Sequence, residues 1–156
     1  MKNEQGFSLV ELLIVVAIIA IIAAIAVPSL LTSKQAANEA GAIQGCRTVG
    51  SAEIAFAAVN NQRYTDVTTL VNGNYLDGRF SSTGGFNGYT YASGAVTNGV
   101  GTGAPPTGFE FVAAPVTGGG RYTYGIAPDQ VVRYLGVISG ATAPAGLTAG
   151  DPIGKN

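Results

Sequence analysis

The chain has no histidine and no tryptophan, and Cys46 is its one cysteine. Without histidine no Ser-His-Asp or Cys-His nucleophilic constellation can form. One thiol cannot furnish a zinc site, and it leaves no intrachain disulfide to make. Charge is scarce too. Asp, Glu, Lys and Arg make up 11% of the 156 residues, against about a quarter in ordinary domains. The nine acids are scattered, with no close pair suited to acid–base work. Asp129 and Asp151 are isolated, whereas calcium takes about six to eight oxygens, so they read as solvated turn acids. The eight cations form no basic patch, so general nucleic-acid binding has no electrostatic footing. Glycine-rich runs are present, but none is followed by Lys-Ser/Thr as a phosphate loop requires. The expectation is a protein that is not an enzyme and needs no cofactor.

What the chain does have is a long apolar run. From Phe7 to Leu31 only Ser8, Glu11, Pro28 and Ser29 interrupt it. About 20 apolar residues suffice to span the hydrocarbon core of a bilayer. In lipid the backbone must satisfy its own hydrogen bonds, which predicts a helix. Leu, Ile, Val and Ala ring its whole circumference, as in a helix surrounded by lipid or by other helices. Pro28 removes one helical hydrogen bond and disfavours the helical region for Val27, predicting a kink or locally melted turn. Glu11 is the anomaly. A charge in such a segment costs roughly 2.5–3.5 kcal/mol on insertion scales, so it needs a partner or a task. Two plainer readings stand beside this one. The first is a plain membrane anchor. The second is a secretory signal peptide cut after Ala24-Ile25-Ala26. Against the signal peptide, Lys2 is offset by Glu4, the apolar run is too long, and Glu11 would interrupt it to no purpose.

The short polar leader Met1–Gly6 and the residues Phe7-Ser8-Leu9-Val10-Glu11 that follow it resemble the N-terminus of type IV pilins and pseudopilins. That family carries a G-F-[ST]-L-x-E motif. The resemblance implies cleavage between Gly6 and Phe7 by a prepilin peptidase, N-methylation of Phe7 by the same enzyme, and a subunit-assembly role for Phe7 and Glu11. In the family the glutamate is thought to pair with the N-terminal amine of a neighbouring subunit, and the helix-breaking proline falls on Pro28. The physics agrees with such a pairing. A buried unpaired charge is expensive and a paired one much less so, so Glu11 would penalise any docking register that leaves it alone. Many pilins close a C-terminal loop with two cysteines. This chain cannot, so its C-terminal end must be held otherwise.

Residues 32–60 read as a continuing amphipathic helix. Ala42, Cys46, Val49, Ala52, Phe56 and Val59 form one apolar stripe at three- or four-residue spacing. Lys34, Asn38, Arg47 and Asn61 lie off it. Gly41, Gly45 and Gly50 weaken a helix by about 1 kcal/mol each, either to admit another helix closely or to leave the stretch soft. Cys46 on this stripe reads as a small apolar residue, not a reactive thiol. Residues 61–156 read as a Gly-rich antiparallel β domain. A short helix is expected near Asp66–Val71. Strands are expected at Tyr89–Tyr91, Phe109–Val112, Tyr122–Ile126 and Val131–Leu135, with a hairpin at Thr117–Gly120. Their alternating aromatics predict a sheet core rather than a route for electrons. Ser93–Gly108 is expected as an exposed loop, and Ser139–Asn156 as poorly ordered. The pattern Tyr124 to Arg133 is similar to pilin-like proteins with a terminal strand.

The expected fold is thus α+β: a long N-terminal helix, its first half (7–31) membrane-spanning, packed on a small antiparallel sheet. The leader is residues 1–6, and its loss leaves the net charge at −1. The resemblance implies an inner-membrane precursor, an assembly platform as partner, and a helical homo-oligomeric filament at the cell surface. Two alternatives stay open at this point. One is a pseudopilin of a type II secretion system. The other, of a different class, is a membrane-anchored binding domain that never polymerises.

Overall fold

A computed structural model describes residues 6–93, 108–136 and 151–153. The order of elements is α1 (Leu9–Val59), α2 (Val67–Asn72), a 3₁₀ turn (Gly78–Ser81), then β1 (Tyr89–Ser93), β2 (Phe111–Pro115), β3 (Tyr122–Ile126), β4 (Arg133–Gly136) and β5 (Asp151–Pro152). The chain divides into two compact units, Met1–Lys34 and Gln35–Asn156. In the first unit α1 stays helical through Pro28, and the Ser29 carbonyl accepts from both the Thr32 and the Ser33 hydroxyls.

In the second unit the strands form one antiparallel sheet in the order β1-β2-β3-β4-β5. The second half of α1 lies on it. Ala42, Cys46, Val49 and Ala52 join Tyr89, Tyr91, Phe111, Ala113, Tyr124 and Ile126 in one core with Leu70, Leu76 and Phe80. The register explains the tyrosines. Tyr91 stands opposite Ala113, and Ala113 opposite Tyr124, so the small Ala113 leaves room between two tyrosines, while Tyr124 stands opposite Tyr134. Phe80, Phe86, Tyr91 and Phe111 pack ring on ring, the closest centroids 4.5 Å apart.

The helix glycines face this aromatic layer. A Cβ on Gly45 would stand 3.0 Å from the Tyr91 ring, and one on Gly50 would stand 2.8 Å from Ile126. The small residues therefore admit the sheet, not a second helix of the same domain. Polar contacts set where the helix first docks. The Asn38 amide donates to the Gly119 carbonyl at 2.8 Å. Glu39, buried, accepts from the Arg121 backbone N–H (2.8 Å), Nε (3.0 Å) and Nη2 (3.0 Å). Both partners sit at the β2–β3 hairpin. The guanidinium holds the Glu39 carboxyl below its ordinary value. That hairpin also meets the Phe86–Tyr89 turn, where Asn87 and Gly88 have φ of 52° and 74°, a type I′ geometry.

Several expectations shift. The apolar stripe ends before Val59, which is 68% exposed, because the helix terminates there and the chain turns back. Asn38, expected off the stripe, is bound to the hairpin. Phe109 is buried but unpaired, so β2 begins at Phe111 and runs on to Pro115. Burial, not strand pairing, is what its hydrophobicity signalled. β4 begins at Arg133, since the Asp129 carboxylate takes the Val131 N–H. Ser93 belongs to β1 and Gly108 is buried, while the rest of the expected loop lies outside the described residues. The C-terminal stretch expected to be poorly ordered contributes β5. Asp151 pairs with Tyr134 and Pro152 with Arg133, and the Ile153 N–H donates to the Val132 carbonyl. The remainder of that stretch lies outside the described residues.

Two outcomes follow. A Cβ on Gly119 would sit 2.0 Å from the Gly88 carbonyl oxygen, which is backbone and cannot step aside. Gly119→Ala is therefore expected to cost about 1–3 kcal/mol in denaturant unfolding. Gly118→Asn should be nearly neutral, because Gly118 has open space around it and Asn accepts its φ of 74°. Separately, the depressed Glu39 pKa gives stability that is present above about pH 4.5, its ordinary value, and is lost as pH falls through the folded value. Glu39→Gln should remove that acid-side loss from a plot of unfolding midpoint against pH.

Candidate functional site

The first unit presents a helix whose apolar side chains are exposed among the described residues. The side chains of Leu12, Leu13, Ile18, Ile21, Ile25 and Leu30 are all more than half exposed. The most apolar 18-residue window of α1 has a mean hydropathy of 3.2 and is 0% buried. A soluble monomer rarely exposes such a surface, and its length and composition suit a bilayer.

The helix start is built by two side chains. Ser8 precedes the first helical residue, and its Oγ accepts from the Val10 N–H at 3.3 Å. Glu11 reaches back to accept from the Ser8 N–H at 3.2 Å. Ser8 and Glu11 thus form a reciprocal capping box, which satisfies two of the orphan donors at the helix start. The carboxylate also lies in the first turn, where the helix dipole favours negative charge. Gly6, Phe7 and Ser8 precede the helix, and Phe7 is 89% exposed. The bond between Gly6 and Phe7 is therefore in open, non-helical chain, one turn from Glu11. Sequence reasoning singled out Gly6, Phe7, Glu11 and Pro28. It missed the capping role, although the Ser-x-x-Glu spacing carries that signal.

Elsewhere, Cys46 is buried and burial pushes its thiol up to about 12, so it is a packing residue. Asp129 is committed to Arg133, whose Nη1 donates to Oδ1 at 3.1 Å. Among the described residues no cluster of His, Cys, Asp and Glu could hold a metal.

An exposed apolar helix with a capped start, continued into a small antiparallel sheet domain, is a pilin-like α+β fold. Comparison with known proteins adds the family signature. Residues 1–27 match the model of the prokaryotic N-terminal methylation motif. A stretch of 39 residues is 56% identical to the type IV wide pilus major component PilA4 of Thermus thermophilus. That match covers 25% of this chain and 30% of the relative, so the chain spans about a third of the relative it matches. The N-terminus of the chain carries this methylation motif and is similar to that of a type IV pilin.

Proposed function

We propose that the protein is the structural subunit of a type IV pilus-like helical filament. The observation that carries this reading is the fully exposed apolar helix headed by an exposed Phe7 and by Glu11. Cut after Gly6 by a prepilin peptidase and methylated at Phe7, the chain waits in the inner membrane as a single-pass precursor. The domain beyond residue 31 lies outside the cytoplasm. An assembly platform then draws it from lipid into a bundle of like helices. Lipid and bundle are equally apolar, so bulk hydrophobicity changes little, and close packing and polar pairing set specificity. Glu11 accepts the Phe7 amine of a neighbour and fixes the axial register. Head-to-tail contacts of this kind do not close on themselves, which yields a filament. A local change of helix direction at Pro28 lets the bundle and the outer domains pack independently. The relative being a pilus component supports a pilus over a secretion pseudopilus.

The mass of the mature N-terminus tests the reading. A chain beginning at N-methylated Phe7 is expected in both membrane and shear fractions. A chain beginning at Val27, or an uncut one, contradicts it. Glu11→Ala should still insert in the membrane. Its filament yield in the shear fraction should fall by more than about tenfold, because a buried amine left unpaired is worth roughly 3–5 kcal/mol.

A further inference from the structure

Glu53 is the second buried carboxylate of α1, and its setting is the opposite of that of Glu39. It is 2% exposed. Its Oε2 accepts one hydrogen bond, from the Thr65 backbone N–H at 3.2 Å. Among the described residues no cation pairs with it. Arg121 is bound to Glu39, Arg79 to Asp77 and Arg133 to Asp129, while Arg47 and Arg63 are exposed and form no ion pair with it. The charged group that acts on it is Asp66, of like sign and on the same turn. Asp66 is itself fixed as the cap of α2, accepting from the Thr69 N–H at 2.8 Å.

Thr65 belongs to a turn under tension. After Val59 the chain reverses through Asn61 and Gln62, with φ of 55° and 58°. Two successive non-glycine residues in the left-handed region are costly unless their surroundings hold them. The contacts that hold them include the Gln62 N–H to the Ala57 carbonyl at 2.9 Å and the Arg63 N–H to the Asn60 carbonyl at 3.2 Å, the Asn60 amide to the Phe56 carbonyl at 2.9 Å, the Tyr64 ring on Phe109 at 5.1 Å between centroids, and the Glu53–Thr65 bond, the one among them made by a titratable side chain. A neutral carboxyl can sit in that place and still accept from Thr65. An ionised one sits buried, without a counter-ion, beside a second negative charge.

We propose that Glu53 is a proton-controlled clasp: its carboxyl, when protonated, seats the Asn60–Asp66 turn on the end of α1, and its ionisation releases the turn. The released turn takes Arg63 and Tyr64 with it, so the surface offered by this end of the domain changes with pH. Burial raises the Glu53 carboxyl from its ordinary 4.5 to about 7, aided by the Asp66 charge and against the Thr65 N–H, which favours the ionised form but does not offset the burial. The seated form therefore binds the proton more tightly than the open form. Seating is strongest below about pH 4.5, weakens as pH rises towards about 7, and is weakest above that. The proposal does not depend on the filament reading.

Amide hydrogen exchange of the full chain in detergent micelles, corrected for the intrinsic dependence of exchange on pH, tests it. Between about pH 5.5 and 8.5 the opening constant reported by Thr65 and Tyr64 is expected to rise about tenfold or more, as follows from the shift in proton affinity. The β2 and β3 amides should stay protected throughout. Glu53→Gln keeps the size and the acceptor oxygen, and should hold the turn seated at both pH values. A wild-type turn that is indifferent to pH overturns the proposal. So does a Glu53→Gln turn that still opens, which would place the switch elsewhere, or sheet amides that exchange in parallel, which would mean that the whole domain opens.

Discussion

Between Leu9 and Leu31 the side chains of α1 ring the helix and stand exposed among the described residues. That unpartnered apolar surface is the constraint on which the rest depends. Taking one Leu, Ile or Val side chain out of water is worth about 1.5–3 kcal/mol, and more than a dozen stand exposed here. One glutamate at a cost of about 3 kcal/mol cannot reverse that sum. The segment must be covered, by lipid or by its own kind. In the proposed assembly Glu11 does not decide whether it is covered; it decides in which register. The capping box gives the same carboxylate an occupation before any partner arrives. The Ser8 N–H satisfies it within the chain, so in the proposed assembly docking exchanges a bond from a neutral N–H for one from a cationic amine.

The second unit solves a different problem. It is rich in glycine and poor in charge, and it gains its cohesion from tyrosine and phenylalanine packed against the small residues of α1. Gly45, Gly119 and Gly120 stand where side chains would strike rings or backbone, and Gly50 where one would strike Gln130 and Ile126. Without a disulfide, the C-terminal end is held by two residues paired to β4. The two buried glutamates on the same helix show how placement decides chemistry. Glu39 meets a bidentate arginine and stays ionised. Glu53 meets an amide and a like charge, and holds its proton to a higher pH.

Much of this was legible in the chain, for reasons that differ by region. The N-terminal helix was readable because apolar length is a local property, and the motif around Gly6, Phe7 and Glu11 because its spacing is short. The strands were readable from alternating aromatics, and β3 was placed to the residue. Strand ends were not, because they depend on partners. Asp129 taking the Val131 N–H delays β4, and Phe109 is buried without pairing. Glu39 and Glu53 were invisible as core residues. A buried carboxylate is recognised by what lies across from it, and Arg121 is 82 positions away from Glu39 along the chain. The glycines of α1 carried a signal of close approach, but not the identity of what approaches.

The central claim is that the apolar surface of one subunit is covered by other copies, registered through Glu11. Electron cryomicroscopy of the sheared material measures this directly. The account predicts a bundle of Phe7–Leu31 helices in which the Phe7 amine of one copy lies within about 4 Å of the Glu11 carboxylate of another. Helices held apart by lipid, or a bundle in which Glu11 faces no amine, would contradict it.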